Sequence, residues 1–233
     1  MTSDYRVPQG YQPVAAIGVD ARASFINRTY NHLMGAIVLF TLLEVGLFQS
    51  GVATSIARVM LSGSWLLVLG AFMLVSWFAT RISLTSESKG AQYAALGGFV
   101  AAEAILFVPM IWMAEQFAPG AVESAAAVTL LGFGGLTAVA FVTRKDFSFL
   151  RGFLMWGGVL ALVAIVGGVL FGFEMGTWFS VAMVGFAGAA ILYDTSNVLH
   201  HYPEDRYVGA ALQLFASVAL MFWYVLRLFM SRD

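Results

Sequence analysis

The residues of this chain best able to do chemistry are acids set inside otherwise apolar stretches: Asp194 in AAILYDTSN, Glu103 in VAAEAILF and Glu44 in FTLLEVGLF. An ionised side chain in hydrocarbon costs about 3 kcal/mol or more, so such a group faces a bundle interior or a water-filled path and has a partner. Counted along helices at about 1.5 Å per residue, Asp194 lies near one end of its stretch, Glu103 near the middle of its own and Glu44 beyond it. The three carboxylates are therefore staggered across a bilayer, as groups lining a cation path would be. Glu44 and Glu103 differ in depth by about one turn, and either share a proton, as close carboxylates do, or stand as two independent acids.

Asp194 has two readings. It is a structural carboxylate, neutral or paired with Arg81, that fixes helix packing, or it switches charge with pH and gates a pathway. Arg81 closes the inner end of the second apolar stretch, within reach of Asp194. In the last stretch Gln213, Ser217 and Tyr224 share one helical face. Gln213 and Ser217 there either donate hydrogen bonds to Asp194 or bond across helices as packing glue. His32 reads as an interfacial residue. His200 and His201 lie in a loop that either senses pH or is simply solvated. Pro109 is expected to kink its helix.

The elements that position these groups follow from composition. With 60% hydrophobic, 15% aromatic and only 11% charged residues, the chain cannot cover a water-soluble surface. Apolar runs near 29–49, 64–80, 91–114, 122–143, 151–173, 176–198 and 207–230 match the roughly 20 residues that cross a bilayer as a helix. They lack the alternation of barrel strands. The expected fold is all-α, a polytopic membrane protein with seven transmembrane helices in a single bundle. Residues 1–27 read as a flexible cytoplasmic tail, and 28–230 as the membrane domain. No cleavable leader is expected before the first span, which would itself direct insertion.

Nine of the twelve Lys and Arg residues (Arg6, Arg22, Arg28, Arg81, Lys89, Arg144, Lys145, Arg151, Arg206) fall in the tail or in the second, fourth and sixth loops. Arg58, Arg227 and Arg232 fall on the other side. Because short cytoplasmic loops hold the excess of positive charge, the N-terminus is expected in the cytoplasm and the C-terminus outside. The short loops point to a bacterial inner membrane.

Several functions are excluded. A net charge of −1 gives no electrostatic case for nucleic acid. The absence of cysteine removes disulfides and thiolate metal sites. Glycine runs such as GFGG follow no strand, so no dinucleotide loop is expected; their use is close helix packing, and small-xxx-small pairs leave dimerisation open. Lys89 and Lys145 lie outside the spans, so no retinal Schiff base forms. No nucleophile–base pair suggests an enzyme, and no catalytic residue is assigned. Calcium wants six to eight oxygens, so no resident metal or cofactor is expected and Ca²⁺ would only pass through.

Two stretches, VTRKDFSFLRGFLMWGGVL (142–160) and AAILYDTSNVLHHYPEDRYVGAALQLFASVALMFWYVLRLF (189–229), resemble the Bax inhibitor-1 family of membrane proteins, including its bacterial branch. Arg144, Lys145, Asp146, Phe147 and Ser148 match its basic-Asp-aromatic-Ser loop. Leu192, Tyr193, Asp194 and Thr195 match its Leu-Tyr-Asp-Thr motif, and Val225 to Phe229 match the end of its last helix. The resemblance implies a central last helix and a pH-sensitive calcium leak. In that family the aspartate matched by Asp194 pairs with a second aspartate, and Ser217 stands at the second position here. Some bacterial relatives instead engage a membrane-bound protease. The expected function is a pH-influenced cation leak for calcium or protons, with a protease-modulating binding protein as the alternative.

Overall fold

A computed structural model describes residues 13–231. Arg6, Arg232 and the first twelve residues of the expected tail lie outside it. Eight α-helices carry the described chain: α1 (Val19–Gln49), α2 (Val52–Ser62), α3 (Trp65–Thr85), α4 (Lys89–Phe117), α5 (Ala121–Thr143), α6 (Leu150–Phe171), α7 (Thr177–His200) and α8 (Tyr207–Met230). All but α2 are long and apolar enough to cross a membrane. The protein is thus a multi-pass membrane protein with the seven spans expected. Helix is forced here, because a spanning segment must satisfy its backbone groups internally.

Two boundaries differ from expectation. Residues 13–27 are not a free tail: Val14 is fully buried, its amide donates to the Tyr202 carbonyl at 2.9 Å, and α1 begins at Val19. The run escapes hydropathy because it mixes Asp20, Arg22 and Arg28 with Phe25, which is buried against Tyr202. The loop expected between the first two spans contains α2, whose Ala53 and Ala57 pack one turn apart against Val108 of α4. Amphipathic and short, α2 is invisible to a search for spans.

The last helix is central, and its sequence explains why. From Val208 to Leu226 it is apolar nearly all round, with Gly209, Ala210, Ala211, Ser217 and Ala219 keeping its surface narrow. It packs against α1, α3, α4, α5 and α7. A helix apolar on every side is one that other helices surround. By contrast α6 has no buried residue and leans chiefly on α7.

The N-terminal segment and the loops after α3, α5 and α7 meet at one end of the bundle, the basic end. There Lys89 Nζ donates to the Asp205 carbonyl and sits 4.4 Å from the Tyr207 ring centre, and Arg206 donates to the Ser86 carbonyl. Lys89 is the first residue of α4 rather than part of a loop. At the opposite end Arg227 donates to the Met175 carbonyl at 2.8 Å. The basic end carries a core around Phe25, Phe99 and Leu212, and the other half one around Phe107, Ile191 and Phe222. Helix α4 runs unbroken through Pro109.

Candidate functional site

Asp194 of α7 is 9% exposed, and its Oδ2 accepts a hydrogen bond from Ser217 Oγ of α8 at 2.5 Å. The small residues Ala187 and Gly188 on α7 let the two helices come this close. The bond joins the most extensively packed pair of helices in the bundle. Thr195, the next residue of α7, belongs to a cluster that sequence inspection missed. The Tyr30 hydroxyl of α1 lies next to those of Thr137 on α5 and Thr195 on α7. All three oxygens are buried, and none makes a well-formed hydrogen bond to a described residue; hydroxyls in this state pair loosely with one another or with water. Their signal was present in the sequence as hydroxyl residues inside apolar runs, but nothing in their spacing links three helices.

Two expected partners are elsewhere. Arg81 makes no ion pair with Asp194; it is exposed, with its guanidinium 5.3 Å from the Trp77 ring centre. Cation–π stacking keeps the charge at the bundle surface, so Arg81 does not balance Asp194. Gln213 donates to Thr80 Oγ1 of α3 at 3.4 Å rather than to Asp194. Its longer side chain reaches past the α7 contact that Ser217 makes. Of the face expected on α8, Ser217 alone bonds Asp194, while Tyr224 packs edge-on against Phe179.

The two glutamates belong to separate environments. Glu103 is 6% exposed within α4 and makes no side-chain hydrogen bond to a described residue. Glu44, 7% exposed, lines a cleft of about 470 Å³ formed by α1, α4, α5 and α8. Both Glu44 carboxyl oxygens lack a partner among the described residues, so no hydrogen bond joins the two acids. The shared-proton reading fails, because Glu44 turns into the cleft and Glu103 does not line it. Phe40, Phe215 and Phe222 form the cleft's inner wall. Behind them Phe107 stacks on Phe222 with ring centres 5.3 Å apart, and Phe99 meets Phe215 at 6.1 Å. Phe215 stands two residues from Ser217 on α8.

At the basic end, the loop after α5 is pinned to α7. Arg144 takes a left-handed conformation with φ of 51° that ends α5 and turns the chain. Asp146 Oδ1 then accepts from the Ser148 amide at 2.9 Å, and Oδ2 lies 3.0 Å from His201 Nε2. The Phe147 amide donates to Ser196 Oγ at 2.9 Å. These bonds, the Ser148 amide first and His201 next, hold the Asp146 carboxyl down to about 2. A carboxyl depressed below its unfolded value of about 3.9 contributes stability that is whole above that value and lost as pH falls from there toward about 2. Asp146→Asn is therefore expected to speed exchange of the Ser148 amide at neutral pH in hydrogen–deuterium measurements. Unchanged exchange would show that the loop needs no such tie.

The family model described as inhibitor of apoptosis-promoting Bax1 matches residues 22–233. An uncharacterized protein of Pseudomonas aeruginosa is 37% identical over 111 residues, covering 46% of this chain and 49% of that protein. The Escherichia coli protein named modulator of FtsH protease YccA is 34% identical over 108 residues, covering 45% of this chain and 49% of its own. With both of these bacterial proteins the match spans about half of the relative's length. Bax inhibitor 1 of Schizosaccharomyces pombe is 29% identical over 225 residues, covering 93% of this chain and 79% of that protein.

Proposed function

This chain belongs to the Bax inhibitor-1 family, and from that premise we propose that it forms a pH-influenced cation leak, for calcium or protons, in a bacterial inner membrane. The observation that carries this reading is the hydrogen bond from Ser217 to Asp194 across α7 and α8, with Thr195, the next residue of α7, in a buried hydroxyl cluster with Tyr30 and Thr137. A neutral Asp194 fits that packing. A charged one demands water, because an uncompensated buried charge costs several kcal/mol. Raising pH therefore favours an arrangement in which α7 and α8 part and water enters.

In this reading the basic end faces the cytoplasm, so Asp194 answers to cytoplasmic pH. Glu44 lines the outer half, and Glu103 meets the path only when the bundle opens. The packed phenylalanines Phe40, Phe107, Phe215 and Phe222 close the passage between the two polar regions. A closed wall of this kind gates by excluding water. In this reading Ca²⁺ passes rather than resides, because calcium wants six to eight oxygens and the three acids stand at separate depths.

The test is calcium-indicator flux in proteoliposomes between pH 6 and 8. Native protein is expected to leak more as pH rises, and Asp194→Asn to stay low and flat. Equal flux from native protein and empty liposomes would end the leak reading.

The name of the Escherichia coli relative supports a second reading, in which this chain binds and modulates a membrane-bound protease without conducting. Capture of an FtsH-type protease by the detergent-purified full chain, equally strong with Asp194→Asn, would favour it.

A further inference from the structure

The cleft at Glu44 has the chemistry of a binding site in its own right. Its lining contains two carboxylates, Glu44 and the exposed Glu115, and no basic residue. Among the described residues, Glu44 is buried with both oxygens unbonded, and the Thr129 hydroxyl on α5, in the same cleft, is likewise buried and unpartnered. Protein groups in this state call for a hydrogen-bond donor from outside the chain. Apart from Thr41, whose hydroxyl donates to the Ile37 carbonyl, and the exposed Gln49, the rest of the wall is apolar, with the rings of Phe40, Phe48 and Phe222. Such rings attract cations as well as alkyl chains.

Metal does not fit these facts, because two carboxylates in an apolar wall fall far short of the six to eight oxygens calcium needs. An apolar body carrying one ammonium group does: the nitrogen donates to Glu44 and Thr129, and the body lies along the phenylalanines. The route in is lateral. Val45 on α1 and Leu130 on α5 stand at the rim, 44% and 48% exposed on membrane-spanning helices. This side of the mouth faces hydrocarbon, while exposed Gln49 and Glu115 near the ends of α1 and α4 mark its side toward the membrane surface, the boundary at which an amphiphilic cation concentrates. We propose that this cleft binds an amphiphilic organic ammonium from the bilayer, with Glu44 as its counter-ion and Thr129 as a second acceptor. Such binding is independent of whether ions cross the bundle.

The probe is dodecylammonium, with dodecanol as its uncharged match, titrated against the full chain in a neutral maltoside detergent and read by native mass spectrometry. One saturable dodecylammonium adduct is expected, with dodecanol at least tenfold weaker. Glu44→Gln should erase that tenfold preference. Ala126→Phe, which fills the cleft from α5 and leaves Glu44 in place, should remove the adduct; it also keeps the test decisive if Glu44→Gln fails to fold. Equal binding of dodecylammonium and dodecanol to native protein would reduce the cleft to a groove for alkyl chains and overturn the assignment. So would a charge preference that survives Glu44→Gln, or an adduct that survives Ala126→Phe.

Discussion

Ser217→Ala should raise ion flux at every pH between 6 and 8, because it removes the one donor that Asp194 has in the packed bundle. A buried acceptor stripped of its partner costs about 1–3 kcal/mol. At a factor of ten for each 1.4 kcal/mol, a closed state that alone holds this bond loses population by roughly five- to 150-fold. The rise in flux should approach that factor. Ser217→Asp should act differently: it places two carboxyls within hydrogen-bond distance, where both cannot ionise cheaply and one proton is shared. Flux should then be lower than native at pH 6 and change more steeply toward pH 8. If Ser217→Ala conducts like native protein, the bond between α7 and α8 is packing and not a latch.

Gly209→Ala should destabilise the fold by about 1–3 kcal/mol, the usual cost of overfilling a packed contact. A Cβ at this position would stand 2.9 Å from the backbone oxygen of Ser83 and 2.7 Å from Leu84 Cδ2. The leucine tip can rotate away, but the backbone of α3 cannot move without shifting the helix. The sign makes the test sharp. Alanine is otherwise the better helix former by about 1 kcal/mol, so a crowded glycine and an open one respond in opposite directions. At Gly98 of α4 a Cβ would meet nothing within 4 Å, and Gly98→Ala should stabilise by about 0.5–1 kcal/mol. Melting of the two variants in detergent, followed by tryptophan fluorescence, separates them. A gain in stability for Gly209→Ala would mean that α3 and α8 do not approach as closely as described.

The spans were legible because their signal is local: about twenty apolar residues in a row mark a crossing whatever surrounds them. What lay at their ends was less so. The segment at 13–27 is polar enough to read as tail, yet Val14 and Phe25 are buried by contacts with Tyr202, far along the chain. Helix α2 is too short for the criterion that found the others. Among the candidate residues, Gln213 and Ser217 shared a helical face and both were read as donors, yet only Ser217 bonds Asp194, whereas Arg81 was plausible by depth alone. Depth along a helix says nothing of azimuth. Arg81 turns outward to Trp77, and Gln213 extends to Thr80.

By itself the sequence determined the class and the seven crossings, because those depend on composition and on local apolar runs, while the central place of the last helix was implied by the family resemblance. It also placed three acids at different depths. Only the tertiary structure decided which of them meets what: Asp194 meets Ser217, Glu44 lines a cleft that Thr129 also lines, and Glu103 does neither. The reason is geometric. Rotation of each helix about its axis is set by close packing against several neighbours at once, and no single segment encodes that.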